Sequence, residues 1–126
     1  MQLEEKIALL EKGEACLSTS SGMGAITSAL WTALKAGDHI VASKTLYGCT
    51  YALLNHGISR YGVEVTFVDA ANLDEVRAAM KENTKVVYLE TPANPDLKLV
   101  DIEAVAKIGH EVEGCMVIVD LSLIHI

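Results

Sequence analysis

The chain has 126 residues, of which 51% are hydrophobic and 21% charged, and its formal net charge is −7. This length and composition suit one globular domain, or part of one, rather than a disordered chain. An acidic chain without a Lys/Arg cluster argues against nucleic acid or an anionic membrane as partner, and no apolar run approaches the roughly 20 residues of a membrane span. The acidic first six residues are unlike a signal peptide, so we expect a cytoplasmic protein.

Apolar periodicity predicts helices and strands that alternate along the chain. Residues 2–12 predict an amphipathic helix, residues 15–19 a first strand, and residues 24–35 a second helix that is apolar almost all round and therefore largely buried. Four further strands are predicted at residues 39–43, 64–68, 85–89 and 116–119, with helices at 50–60, 72–81 and 101–110. Short apolar strands that alternate with helices predict an α/β fold with a mostly parallel sheet covered on both faces.

The three cysteines are an odd number and lie far apart in a chain without export signals, so we expect no disulfide. Cys16 and Cys115 lie in apolar runs and are expected in the core, whereas Cys49 falls in a predicted loop. The four histidines show no metal-ligand spacing with each other or with cysteine, and no metal site is predicted.

A run of small residues, Ser20-Ser21-Gly22-Met23-Gly24-Ala25, joins the first predicted strand to the second helix. The first turn of a helix has free N–H groups, and its dipole favours negative charge. Gly22 and Gly24 have no side chain to hold an anion away, so the turn predicts a phosphate site. The spacing matches neither the dinucleotide fingerprint nor the lysine-bearing phosphate loop, and a simple tight turn is the alternative.

Polar residues follow the ends of the other predicted strands as well. Because parallel strands place their carboxyl ends at one edge of the sheet, these residues should line a common rim. They are Tyr47 to Cys49, Glu90, Asn94 and Asp120. The rim would combine an anion site, an aromatic ring, an amide and a carboxylate, which suits a cofactor such as pyridoxal 5'-phosphate (PLP).

Four motifs carry a family resemblance: residues 21–26 (SGMGAI), 46–50 (LYGCT), 90–95 (ETPANP) and 118–120 (IVD). In this order and spacing the chain resembles the γ-family of Cys/Met-metabolism enzymes, which use PLP. Cys49 and Ala93 favour its methionine γ-lyase branch, since cystathionine γ-lyases tend to carry glycine and threonine there. The resemblance implies that residues 1–120 are part of the three-layer large domain of fold type I PLP enzymes, which is aspartate aminotransferase-like.

The resemblance also implies a role for each matching residue. The amides of Gly22 and Met23 would hold the cofactor phosphate, and Tyr47 would stack on its ring. Asn94 would bond near the 3′ oxygen, and Asp120 would pair with the ring nitrogen and keep it protonated.

The implied reaction is the α,γ-elimination of L-methionine to methanethiol, 2-oxobutanoate and ammonia. Tyr47 would be the acid for the departing sulfur, and Cys49 would lie beside the substrate, a small sulfur amino acid. A cystathionine γ-lyase or γ-synthase is the alternative, and Glu90 would either touch the cofactor or only brace the loop at residues 92–95. The resemblance implies a homotetrameric parent enzyme.

Some family features find no match in this chain. No lysine fits the motif of the cofactor-linking lysine, so we expect an N-terminal-half fragment that is inactive alone and exposes apolar faces. After Asp120 the family continues with Asn-Thr, whereas Leu121 and Ser122 stand here. Residues 121–126 resemble a translated transposon-end adapter and are expected to be a foreign tail, with a divergent strand end as the alternative.

Overall fold

A parallel sheet of four strands forms the centre of the computed structural model, which describes residues 2–94 and 96–125. The strands are β1 (His39–Ser43), β2 (Glu64–Val68), β3 (Thr84–Glu90) and β4 (Met116–Asp120). Their order across the sheet is β2-β1-β3-β4, and all three pairings are parallel. The predicted α/β class and the parallel sheet are therefore confirmed, and every carboxyl end lies at the same edge.

The helices connect the strands and cover the sheet. They are α1 (Gln2–Glu11), α2 (Gly22–Ala33), α3 (Gly48–Ala52), α4 (Leu73–Ala79) and α5 (Ile102–Gly109). The helical path of α3 continues through a π-helical turn at Leu53–Gly57 and a 3-10 turn at Ile58–Tyr61, and another 3-10 turn spans Ser122–His125. Among the described residues, no helix has the length and hydropathy to cross a bilayer.

Two apolar clusters pack on opposite faces of the sheet. On one face, Leu30 of α2 and Leu54 and Ile58 of the α3 path pack with Tyr88 of β3. On the other face, side chains of α4 and α5 pack against Val41, Val87 and Leu89. Burial on both faces explains why the central strands are continuous apolar runs rather than alternating patterns.

The predicted first strand at residues 15–19 is wrong. These residues form no ladder, and Leu17 is 78% exposed. The backbone amide of Ser18 donates instead to Oε1 of Glu4 at 2.9 Å, so the segment is tied to α1. Cys16 is accordingly only partly buried, whereas Cys115 lies in the core as predicted. With few large apolar side chains, the segment has too little to bury against the sheet.

Two further expectations are also wrong. The second helix buries only Leu30, while Trp31 is 42% exposed and packs edge-to-face on Tyr61 at a ring-centroid distance of 5.1 Å. One side of α2 packs on the sheet and the opposite side is exposed. The helix is apolar on all sides but is buried on only one. Cys49 lies in the first turn of α3, not in a loop, and is exposed.

A buried histidine joins three strands at the amino edge of the sheet. Nδ1 of His39 lies 2.8 Å from Oγ1 of Thr84 in β3, and Nε2 lies 2.8 Å from Oγ1 of Thr66 in β2. Burial is the main cause that lowers the pKa of His39; nearby Lys81 acts in the same direction, while Glu64 opposes it. The ring is therefore neutral in the folded chain near pH 7.

We predict that the chain loses stability on mild acidification because His39 resists protonation. The unfolded chain binds this proton at the ordinary histidine pKa of about 6.5, so the stabilisation is complete above that pH and is lost as pH falls towards the lower folded-state value. Urea unfolding followed by circular dichroism at pH 7.5 and 5.5 measures the loss. His39→Gln should be less stable at pH 7.5 by about 1–3 kcal/mol and show a smaller pH difference. An unchanged pH difference would contradict the assignment.

Candidate active site

A pocket of about 420 Å³ opens at the carboxyl edge of the sheet. Its walls come from the start of α2, the start of α3 and the segments that follow β3 and β4. The lining residues are Ser21, Gly22, Met23, Ile26, Tyr47, Glu90, Asn94, Asp120, Ser122 and Leu123. The structure thus brings together all five residues that the sequence assigns to the cofactor. Cys49 is not in the lining, although it lies in the first turn of α3.

The start of α2 presents two free backbone amides to the pocket. Ser21 is the N-cap, and its Oγ accepts the N–H of Gly24 at 3.0 Å. Within the described ranges, the N–H groups of Gly22 and Met23 have no acceptor. A Cβ on Gly22 would meet no atom within 4 Å, so the space beside Gly22 is open. Amides of this kind at a helix start are suited to a phosphate.

Three donors hold the carboxylate of Asp120 at the end of β4. The hydroxyl of Tyr88 donates to Oδ2 at 3.0 Å, and Ser122 donates to Oδ1 through its N–H at 2.9 Å and its hydroxyl at 2.6 Å. Burial first, and the charge of Asp120 second, raise the pKa of Tyr88 far above its usual range, so the phenol stays protonated. The fixed carboxylate keeps acceptor capacity for a ligand N–H.

Tyr47 occupies the N-cap position of α3, lines the pocket and is 47% exposed. The neighbouring Cys49 side chain is the main cause that raises the pKa of the Tyr47 phenol. A phenol with a raised pKa remains protonated at neutral pH and can donate a proton to an anion that forms beside it.

Glu90 is a buried carboxylate at the end of β3, between two segments of the pocket wall. Its Oε2 accepts the N–H of Tyr47 at 2.7 Å, and its Oε1 accepts the N–H of Asn94 at 3.2 Å. Of the two roles that the sequence left open for Glu90, bracing of the loop after β3 is the one seen. The additional bond to Tyr47 was missed, although a carboxylate that ends an apolar strand was a signal for it.

Two other residues of the site were not identified from the sequence. Tyr88 sits inside an apolar run and was indistinguishable from an ordinary core residue. Ser122 lies in the segment expected to be foreign, yet it supplies two of the three donors to Asp120. Both residues donate hydrogen bonds to Asp120, and no local sequence pattern indicates those contacts.

The residues present fit a cofactor that has a phosphate at one end and a protonated ring nitrogen at the other. Free helix amides match the anion, and an acceptor carboxylate matches the cationic N–H. Among residues 2–94 and 96–125 there is no group of three or more side chains that could hold a metal ion. A wider depression of about 810 Å³ at the opposite edge is lined by residues 80–82, 85 and 111–114, outside all of the predicted site.

The fold and the site define an α/β domain of the kind that binds a phosphorylated heterocyclic cofactor at the carboxyl edge of its sheet. A family model described as "Cys/Met metabolism PLP-dependent enzyme" matches residues 1–124. The chain belongs to this family, and the predicted family resemblance is confirmed.

Individual relatives agree with this placement. The chain is 68% identical over 118 residues to L-methionine gamma-lyase of Fusobacterium nucleatum subsp. polymorphum. The alignment covers 94% of this chain and 30% of that protein. It is 43% identical over 118 residues to cystathionine gamma-lyase of Bacillus subtilis strain 168, with 94% and 31% covered. The crystal structure of metB from Corynebacterium glutamicum superposes with a TM-score of 0.90 at 43% identity and covers 94% of this chain and 30% of that one. The chain therefore spans about a third of its relatives' length, and its fold is that of fold type I PLP enzymes.

We predict that Tyr88 and Asp120 are energetically coupled. In a double-mutant cycle of Tyr88→Phe and Asp120→Asn, urea unfolding of the chain should give a coupling free energy of about 1 kcal/mol, because a hydrogen bond to a charged group is lost. The matched control pairs Tyr61→Phe with Asp120→Asn, since Tyr61 is exposed and packs on Trp31. That pair should be additive, and additivity in the Tyr88 cycle as well would contradict the prediction.

Proposed function

We propose that the protein containing this chain is a PLP-dependent carbon–sulfur lyase that converts L-methionine to methanethiol, 2-oxobutanoate and ammonia by α,γ-elimination. The observation that carries the proposal is that one pocket is lined both by the helix start with the free amides of Gly22 and Met23 and by Asp120. The 68% identity to an L-methionine gamma-lyase supports the choice of substrate. The further proposals are that residues 1–120 are part of the PLP-binding large domain of a cytoplasmic homotetramer, and that residues 121–126 are a foreign tail.

In this proposal, residues of this chain bind the phosphate and the ring of the cofactor. The N–H groups of Gly22 and Met23 bind its phosphate, and the Asn94 side chain bonds near its 3′ oxygen. Asp120 accepts the N–H of the ring and holds that proton in place. PLP, when bound, supplies a ring that accepts the electrons released at the substrate Cα. An ionised acceptor opposite the ring nitrogen favours the protonated, electron-accepting form.

Tyr47 has two tasks in the proposed site. Its ring stacks on the cofactor, and its hydroxyl gives a proton to the sulfur that leaves from Cγ. A phenol is protonated at neutral pH, because its ordinary pKa is about 10, so the proton is present for this transfer. Cys49 raises the pKa of the Tyr47 phenol. In the proposed site it lies beside the substrate and contributes to recognition of the sulfur-containing side chain.

The alternative function is that of a cystathionine γ-lyase or γ-synthase with the same cofactor and different thiol chemistry. The identity to the Bacillus subtilis cystathionine gamma-lyase is 43%, well below the 68% found for the methionine enzyme. Cys49 also favours methionine. These two observations place the alternative second.

A chimera tests the proposed substrate. We define the chimera as the Fusobacterium nucleatum enzyme whose 118 matching residues are replaced by those of this chain. With PLP it should release methanethiol and 2-oxobutanoate from L-methionine within about tenfold of the host rate, since one factor of ten corresponds to 1.4 kcal/mol of barrier. The matched control carries the corresponding Bacillus subtilis segment and should favour cystathionine by comparison. A folded, PLP-bound chimera that releases no methanethiol would refute the proposal.

We predict that Tyr47→Phe in the chimera lowers kcat about 100-fold, because the variant keeps the stacking ring but loses the proton donor. The PLP dissociation constant, from titration of the cofactor-free chimera, should change less than about twofold, well under 1 kcal/mol. Tyr51→Phe is the matched control, because Tyr51 lies on the same helix and packs on Phe67. Equal kcat values for Tyr47→Phe and the control would show that Tyr47 is not the acid.

A further inference from the structure

We propose that Glu90 is a positioning residue that couples the segment carrying Tyr47 to the segment carrying Asn94. Its two carboxylate oxygens accept backbone N–H groups, and it sets the spacing between Tyr47, proposed to act on the substrate, and Asn94, proposed to bind the cofactor. The consequence for catalysis rests on the function proposed above. The coupling itself rests only on the geometry of this chain.

The first observation is that one side chain bridges two separate parts of the pocket wall. Tyr47 precedes α3, and Asn94 lies in the turn after β3. The two carboxylate oxygens of Glu90 accept one backbone N–H from each, at 2.7 Å and 3.2 Å. Because the bonds go to the backbone, a shift of either segment is transmitted to the other without depending on the side chain it carries.

The second observation is that the carboxylate of Glu90 is buried. The side chain is only 5% exposed, and no ion pair joins Glu90 to any cationic side chain in the described part of the chain. Burial of a carboxylate is unfavourable unless it is hydrogen-bonded, so the two amide donors are what stabilise it here. Disruption of either bond leaves a buried charge short of a donor, which resists movement of either segment.

The third observation concerns the chemistry of the bridge. Two N–H donors require two acceptor atoms at the end of one side chain, which an ionised Glu provides. A Gln has the same shape but presents an NH2 group in place of one oxygen, and that group would face an N–H. Glu90→Gln therefore breaks one arm of the bridge and leaves the volume unchanged.

The experiment compares Glu90→Gln with Glu75→Gln in the chimera. Glu75 is the matched control, because its Oε1 accepts the backbone N–H of Asp69 at 3.0 Å and neither residue lines the pocket. Four quantities are measured on each protein: hydrogen–deuterium exchange of the peptides that contain Tyr47 and Asn94, the PLP dissociation constant, kcat for L-methionine, and KM for L-methionine. The melting temperature of each cofactor-free protein records any general loss of stability.

For Glu90→Gln we expect faster exchange in both peptides, a PLP dissociation constant about tenfold higher and a kcat lower by at least about tenfold, with a smaller change in KM. Glu75→Gln should leave all four within about twofold. A lower melting temperature with unchanged exchange at Tyr47 and Asn94 would make Glu90 a purely structural residue and overturn the proposal. Faster exchange at only one of the two peptides would overturn the coupling.

These outcomes separate this inference from the proposed function. If the parent chimera binds PLP but releases no methanethiol, the function is wrong, while exchange and PLP affinity still decide the role of Glu90. If methanethiol is released and Glu90→Gln matches Glu75→Gln in every measurement, the function stands and the positioning role falls. If Glu90→Gln does not fold, Glu90→Asp replaces it. The Asp side chain is one methylene shorter and cannot reach both amides, so it should show the same pattern.

Discussion

The parallel register between β3 and β4 is the constraint on which the site depends. It pairs Glu90 directly with Asp120, so the two strands end level with each other at the rim. Two residues earlier, Tyr88 pairs with Ile118, and both lie on the face that α2 covers. Side chains two apart share a face, and Tyr88 therefore reaches Asp120 while Glu90 reaches the wall segments. A slip of one residue would turn all of these side chains to the opposite face.

Two adjacent carboxylates at one rim would repel each other unless each had its own donors. The structure separates their partners completely. Asp120 is held by side-chain hydroxyls and one local amide, whereas Glu90 is held by the backbone of two segments. Asp120 lines the pocket, and the two oxygens of Glu90 each accept a backbone N–H from a segment of the pocket wall. The same functional group is thus held by local donors at the end of one strand and by two separate segments at the end of its neighbour.

The sequence predicted the parts of this structure that local patterns control. Strands at residues 39–43 and 64–68 were placed correctly because glycine and polar residues bound short apolar runs. The rim was predicted because residues that follow parallel strands share an edge. Residues 15–19 were misjudged because strand formation needs a partner strand, which lies outside any local window. Tyr88 and Glu90 were undervalued because their contacts depend on register and on loops distant in sequence.

The π-helical turn at Leu53–Gly57 has a consequence for which changes of length the segment tolerates. Thr50, Leu54 and Ile58 are all fully buried, at a constant spacing of four residues. A regular α-helix drifts by about 40° over each such step, and a locally wider turn offsets that drift. Loss of a single residue within the turn would bring Ser59 to the place where Ile58 packs. Homologous chains should therefore vary in identity along this stretch far more readily than in the number of residues it contains.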